Sequence, residues 1–188
     1  MWKNNILILC GGLLLSSFSL AQTCNSQIAE TTPAYRFEIH GNGTVTDKQT
    51  GLMWKQCHEG QSGNDCATGD AISFPWDEAL QTPETLNASG GYAGHTDWRL
   101  PNIKELLSIV EEACYGPAIN LSVFPGLSGW KESKVWSGSP FSDYSGYPAG
   151  GVWRVYFNSG RTNGYGELPR PGPHSPSNSP VRLVRNGE

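Results

Sequence analysis

Segment 97–110 carries the strongest local pattern in the chain. Asn102 suits a helix N-cap because its side-chain oxygen can accept a hydrogen bond from an end-of-helix N–H, and Glu105 three residues later completes a capping box. Apolar residues then recur with the period of a helix, at Ile103, Leu106, Leu107, Val110 and Cys114. We therefore predict a helix from about Ile103 to Cys114 that packs on a core, with Glu111 and Glu112 on its solvated face.

Residues 1–21 have the pattern of an export signal. Lys3 precedes an apolar run over residues 6–15, and a small-x-small cleavage site ends at Ala21. The apolar run is too short to span a bilayer, and Cys10 lacks the preceding small residue of a lipoprotein signal. We expect cleavage after Ala21 and a protein that is periplasmic, displayed on the cell surface or secreted, with no transmembrane segment after signal removal.

The remaining chain has a length suited to one domain. We divide it into an N-terminal arm, residues 22–34, and a single domain, residues 35–188. Removal of Lys3 leaves 12 basic residues against 17 acidic ones, a net charge of −5. Residues 22–129 carry 5 basic and 13 acidic residues, whereas residues 130–188 carry 7 basic and 4 acidic ones. Such a local excess of positive charge can attract a polyanion to an acidic protein.

Four cysteines remain after signal cleavage, at Cys24, Cys57, Cys66 and Cys114. An even number in an exported chain predicts two disulfides, with three connectivities to choose from. We favour Cys57–Cys66, which closes a short polar loop, and Cys24–Cys114, which ties the arm to the end of the predicted helix.

Metal sites are not expected. The chain has no CxxC pair and its four histidines are scattered, which disfavours zinc. Asn42 and Asp47 have oxygens that calcium prefers, but turn chemistry explains both residues more simply. We predict no metal and no cofactor.

Alternating apolar and polar residues predict short strands. They cover residues 35–39, 44–47, 52–54, 135–137, 152–157 and 181–185, and the second and third form a hairpin. In the fifth strand, Trp153, Val155 and Phe157 should face inward, with Arg154 and Tyr156 on the other face.

The first helix is expected to begin at Pro75, because proline suits the first helical turn. Pro83 should end it near Gln81, and Thr82 would then cap a second short turn. Residues 167–180 hold five prolines and should form an exposed loop.

Several motifs follow one another in a specific order between residues 35 and 185. They are Gly-Thr-Val-Thr-Asp at 43–47 with Thr-Gly-Leu-Met-Trp at 50–54, Trp-x-Glu-Ala-Leu at 76–80, Asp-Trp-Arg-Leu-Pro-Asn-x-x-Glu-Leu at 97–106, Pro-Ala-Ile-Asn at 117–120, Val-Trp-Ser at 135–137 and Val-Arg-Leu-Val-Arg at 181–185. In this order the chain resembles domain-of-unknown-function family 1566, named after the C-terminal domain of the Legionella collagen-like protein.

The resemblance implies an α+β, C-type-lectin-like fold, with two helices flanking small antiparallel sheets and long loops that present a ligand surface. Residues 76–79 and 99–101 also look like that fold and its formylglycine-generating relatives. The family implies an uninterrupted first helix, from which Pro83 departs.

The namesake of the family looks like an adhesin domain that recognises sulfated polysaccharides. The resemblance therefore implies a secreted or surface-exposed, non-catalytic binding module for an extracellular glycan or polyanion. Cations would meet sulfates through charge-assisted hydrogen bonds, and aromatic rings would stack on sugars. The candidate residues are basic or aromatic and lie in the positive C-terminal third: Lys131, Lys134, Tyr144, Tyr147, Arg154, Tyr156, Arg161, Tyr165 and Arg170.

Two other classes of function compete with this hypothesis. The formylglycine-generating relatives use a cysteine-based copper site, but disulfide pairing would leave this chain without a thiol, and its sequence has no phosphate loop or zinc motif, so we predict no catalytic residues. A structural subunit of an envelope or pilus-associated complex, bound to another envelope or surface protein, would also use the many Trp and Tyr residues. Nucleic-acid binding does not suit an exported acidic chain.

Overall fold

The structure, a computed structural model, describes residues 22–127, 133–141, 151–165 and 178–187. The predicted export signal, residues 1–21, lies outside these ranges. The helices are α1 (Trp76–Ala88) and α2 (Ile103–Ser108), and a 3-10 turn covers Ala34–Arg36. The strands are β1 (Thr23–Cys24), β2 (Phe37–Ile39), β3 (Thr44–Asp47), β4 (Leu52–Lys55), β5 (Ser73–Phe74), β6 (Cys114–Tyr115), β7 (Lys134–Phe141), β8 (Gly151–Tyr156), β9 (Arg161–Tyr165), β10 (Ser179–Pro180) and β11 (Val184–Asn186).

The strands form two main antiparallel sheets and two small ribbons. One sheet has the order β11-β4-β3-β2, and the other has the order β7-β8-β9. The ribbons pair β1 with β6 and β5 with β10. The fold class predicted from the sequence, α+β with few helices and several small antiparallel sheets, is therefore confirmed at this level.

The interior consists of two clusters of buried side chains. The first joins the four-stranded sheet and α2 to one face of the three-stranded sheet, and includes Trp54, Leu106 and Val155. The second lies between α1, the segment before α2 and the other face of the three-stranded sheet, and includes Trp98 and Trp136. Both faces of the three-stranded sheet are thus partly covered.

Helix α2 begins as predicted and ends earlier. The Asn102 side chain accepts from the Glu105 N–H at 3.0 Å, and the Glu105 carboxylate accepts from the Asn102 N–H at 2.8 Å. The helix ends at Ser108 and not near Cys114, because the backbone beyond it finds other partners. The Val110 carbonyl accepts the hydroxyl of Thr31, and Cys114 pairs with β1.

The predicted break in the first helix is wrong, since α1 runs without interruption from Trp76 to Ala88. Pro83 lies inside the helix with its ring buried, so packing offsets the missing N–H. Thr82 is not a cap. Its hydroxyl donates to the Glu78 carbonyl at 3.0 Å within the helix.

The other predicted elements are confirmed in part. The hairpin of β3 and β4 is confirmed. The last strand covers Val184–Asn186, because residues 181–183 are buried but follow an irregular path, with the Val181 and Leu183 carbonyls accepting from Glu59 and Lys55. Most of the predicted loop 167–180 lies outside the described ranges, but its end is wrong, since Ser179–Pro180 is buried as β10.

The structure contains the two disulfides that the sequence favours, Cys24–Cys114 and Cys57–Cys66. The first closes the ribbon between β1 and β6, and the second closes the loop before β5. Within the described ranges, neither helix has the length and apolar character that crossing a bilayer would need.

Candidate ligand-binding surface

The three-stranded sheet brings three of the candidate residues together. Lys134 on β7 lies directly opposite Tyr156 on β8, and Tyr156 lies directly opposite Arg161 on β9. Directly opposed residues of an antiparallel sheet share a face, so the three side chains form one row across it. The Lys134 ammonium lies 5.6 Å from the centre of the Tyr156 ring. We call Lys134, Tyr156 and Arg161 the cationic row.

The cationic row lies at the accessible end of its sheet face. Arg161 is exposed, and Lys134 and Tyr156 are half-buried. At Arg154, two residues before Tyr156 on β8, the same face is closed to solvent, because Arg154 and the opposed Trp136 are buried. The row therefore combines an exposed guanidinium, an ammonium and an aromatic ring over a packed base, a set of groups that can form charge-assisted hydrogen bonds with an anion.

Arg154 was predicted from the sequence to bind the ligand, but the structure places it in the interior. Its side chain is 3% exposed, with the guanidinium 5.2 Å from the Trp136 ring and 5.1 Å from the Tyr156 ring. One of its nitrogens lies 3.4 Å from the Ser179 hydroxyl. The strand alternation did place Arg154 and Val155 on opposite faces, but the face of Arg154 is also covered. Arg154 thus packs against the rings of Trp136 and Tyr156 and is closed to solvent.

Two further arginines of the positive C-terminal third are interior residues. Arg182 is fully buried, donates to the Lys55 carbonyl at 3.1 Å and also contacts the Gln56 carbonyl. Burial lowers the pKa of Arg182 to about 9. Arg185 is nearly buried and donates to Asp97 at 2.7 Å. The accessible positive charge of this third is therefore smaller than its net charge suggests.

The remaining five candidates lie outside the described ranges or at the far end of the sheet. Lys131, Tyr144, Tyr147 and Arg170 lie outside the described ranges. The backbone of Tyr165 pairs with Val152 at the far end of β9.

The acidic residues of the central segment are structural. Arg99 donates to both carboxylate oxygens of Glu105, each at 2.7 Å. Burial raises the pKa of Glu105, but the hydrogen bonds from Arg99 and from the Asn102 N–H outweigh it, and the pKa lies below its usual value. Glu105 is therefore held ionised by the cap and by its arginine.

Glu111 was expected on a solvated helix face, and this expectation is wrong. Its side chain is buried and accepts from the N–H groups of Thr31, Thr32 and Ala113 at 2.8–3.0 Å, and from the Thr32 hydroxyl at 2.8 Å. Glu111 thus fastens the N-terminal arm to the domain. Glu112 is exposed, as expected.

The two oxygen ligands considered for calcium have other roles. Asn42 accepts from the Thr44 N–H and hydroxyl, which is a turn contact. Asp47 forms a buried ion pair with Arg36. In the part of the chain that the structure describes, no three His, Cys, Asp or Glu side chains come together as a metal site would require.

The sequence reasoning missed Tyr35. Its side chain is 81% exposed and lines an open groove beside the arm. The alternating pattern of residues 35–39 assigned Tyr35 to a half-buried strand, whereas it lies in the 3-10 turn before β2. The one available signal was the neighbouring Pro33, since proline favours turns.

A comparison with known protein families identifies the family and confirms the resemblance that the motifs indicate. The chain matches the Lcl C-terminal domain family over residues 43–185. It belongs to that family. The match covers about three quarters of the chain, includes the cationic row, and leaves the arm and Tyr35 outside. Comparisons of this Lcl C-terminal domain with curated proteins and with solved structures gave no match.

Proposed function

We propose that this Lcl C-terminal domain is a non-catalytic, exported binding module that recognises anionic polysaccharide, in particular sulfated polysaccharide, through the cationic row. The observation that carries the proposal is the cross-strand alignment of Lys134, Tyr156 and Arg161. An ammonium and a guanidinium on either side of an aromatic ring match a sulfated sugar, in which anionic groups flank an apolar ring face.

The acidic residues support a non-catalytic function. Catalytic groups tend to have perturbed pKa values in an accessible cleft. Among the described residues, burial raises the pKa of Asp47, Glu105 and Glu111, and structural hydrogen bonds outweigh it and lower all three. Each of these carboxylates is occupied by an arginine or by backbone N–H groups. Two disulfides are in keeping with an exported protein.

The proposal includes the C-type-lectin-like architecture that the motifs imply. Its support is the presence of two helices beside small antiparallel sheets, with the cationic row at the end of one sheet face. An experimentally determined structure that superposes on C-type-lectin-like domains would establish this, and a different connection of the sheets would exclude it.

The test is a titration of the purified protein with heparin and with unsulfated dextran, at 50 and 300 mM salt. We expect binding to heparin alone, with an affinity that falls steeply as salt screens the charges. Arg161→Gln should lower the affinity about fivefold, which corresponds to one charge-assisted contact. Lys104→Gln, which removes an exposed charge from α2, is the control and should leave the affinity unchanged.

Dextran binding as tight as heparin binding, or an affinity for heparin that does not change with salt concentration, would contradict the proposal. If heparin does not bind and the protein instead captures a defined envelope protein, the assembly-subunit alternative is favoured.

A further inference from the structure

An open groove of about 410 Å³ lies between the N-terminal arm and the turn that follows β3. One wall is formed by the arm, with Glu30, Thr31 and Pro33, and by the 3-10 turn that follows it, with Tyr35 and Arg36. The turn after β3 forms the other wall with Lys48 and Gln49. A volume of this size lies within the range of small-ligand sites. The whole wall that contains Tyr35 precedes residue 43, where the family match begins, so this wall lies outside the matched part of the chain.

A buried ion pair fixes the distance between the two walls. Arg36 binds Asp47 through two hydrogen bonds, of 2.7 Å and 2.5 Å. Arg36 also donates to the Thr31 carbonyl at 3.0 Å, and Asp47 accepts from the Gln49 N–H at 3.0 Å. One pair therefore holds a residue of each wall, and the groove does not need to be ordered by a ligand.

The arm itself is fastened at two further points. Glu111 accepts from the N–H groups of Thr31 and Thr32 at 3.0 Å and 2.8 Å. The Cys24–Cys114 disulfide attaches the start of the arm to β6. The wall that carries Tyr35 is thus rigid although the ring itself is exposed.

The chemistry of the groove is that of a site for an uncharged sugar. The exposed ring of Tyr35 offers an apolar face, on which the C–H face of a pyranose can stack. Glu30 can accept hydrogen bonds from hydroxyl groups, and Lys48 and Gln49 can donate to them. The charges of Glu30 and Lys48 balance, and the third charged residue of the lining, Arg36, is neutralised by its ion pair with Asp47. The groove therefore has no excess charge to attract a sulfated polymer.

We propose that the Tyr35 groove binds a short segment of an uncharged glycan, at a site separate from the cationic row. A peptide is a poorer match, because peptide anchors need apolar pockets and the groove offers apolar surface only at Tyr35 and Pro33. The two sites differ in one measurable property: binding in the groove is insensitive to salt, whereas binding to the cationic row is screened by it.

The test is a titration of the full protein with uncharged hexasaccharides of glucose, of mannose and of N-acetylglucosamine, followed by calorimetry and by NMR shifts. At least one hexasaccharide binds, and its affinity changes less than twofold between 50 and 500 mM salt. Tyr35→Ala lowers that affinity at least tenfold, and Tyr35→Phe retains it within about threefold, because the ring face carries the contact.

Tyr115→Ala is the matched control, since Tyr115 is also an exposed tyrosine, at 62%, and does not line the groove. The affinity of Tyr115→Ala for the hexasaccharide equals that of the unaltered protein. Thermal unfolding of each variant verifies that it is folded. Three results overturn the inference. They are that no hexasaccharide binds, that Tyr35→Ala binds the hexasaccharide as well as Tyr115→Ala does, or that peptides from a library bind at Tyr35 and no hexasaccharide does. Arg161→Gln leaves hexasaccharide binding unchanged, so failure of the cationic row and failure of the groove are distinguishable.

Discussion

His58 should make the stability of this domain fall as the solution is acidified. The imidazole is fully buried, and its Nε2 lies 3.4 Å from a guanidinium nitrogen of Arg182. Burial and the neighbouring Arg182 charge hold the pKa of His58 well below its usual value. Arg182 has a pKa of about 9 and therefore stays cationic at neutral and acidic pH. Protonation of His58 in the folded protein would place two buried cations side by side.

The size of the effect follows from proton linkage. In the unfolded chain the imidazole takes up a proton near pH 6.5, whereas in the folded chain it stays neutral to a much lower pH. Between these two pKa values the unfolded state binds one proton more. The free energy of unfolding is therefore fully retained above pH 6.5 and falls by about 1.4 kcal/mol for each pH unit below it, until the folded-state pKa is reached.

The assay is urea unfolding of the disulfide-bonded protein at pH 5.5 and at pH 4.5. We compare the unaltered protein with His58→Gln, which cannot titrate, and with Val45→Ala, which removes buried methyl groups without changing any charge. The loss of free energy between the two pH values should be smaller in His58→Gln than in the other two proteins, by up to about 1.4 kcal/mol.

Carboxylates titrate in the same range, but they are common to all three proteins and cancel in the comparison. If His58→Gln and Val45→Ala lose stability equally on acidification, His58 is not the buried neutral group that its surroundings indicate.

Two further substitutions test how the groove and the hairpin are built. Asp47→Asn leaves the buried Arg36 charge without its counter-ion, so urea unfolding should show a loss of about 3 to 5 kcal/mol; a loss below about 1 kcal/mol would contradict this reading. Gly43→Ala brings a methyl group against the Tyr92 hydroxyl at a φ of +83°, whereas Gly41→Ala, at +69°, meets no atom within 4 Å. The melting temperature should therefore fall further for Gly43→Ala than for Gly41→Ala, and equal falls would exclude the clash.

The start of α2 could be predicted because a capping box is local, and Asn102 and Glu105 need only each other. Its end could not be predicted, because the Thr31 hydroxyl, distant in sequence, binds the Val110 carbonyl beyond the last turn. The apolar stripe was likewise only partly informative: Leu106 is buried, but Leu107 is 39% exposed. A helical period indicates a face and does not show how wide the packed part of that face is.

The part of the candidate surface that depends on local strand pattern could be predicted, and the part that depends on distant contacts could not. Alternation along β8 correctly separated Tyr156 from Val155, and the strand pairing that aligns Tyr156 with Arg161 follows from the turn at residues 157–160. The burial of Arg154 depends on Trp136 and on β10, which are distant in sequence. Arginine is usually a surface residue, so charge counting alone assigned it to the ligand.

The Cys24–Cys114 bond spans 90 residues, and a crosslink that closes so long a loop contributes about 4 to 5 kcal/mol in the chain-entropy estimate. That bond anchors the arm that leads into the turn with Tyr35, whereas the cationic row belongs to strands that no disulfide crosses. A reductant that opens this bond would loosen one wall of the groove and leave the row in place. A protein of this design would thus have two recognition surfaces, one of which depends on the redox state of its surroundings and one of which does not.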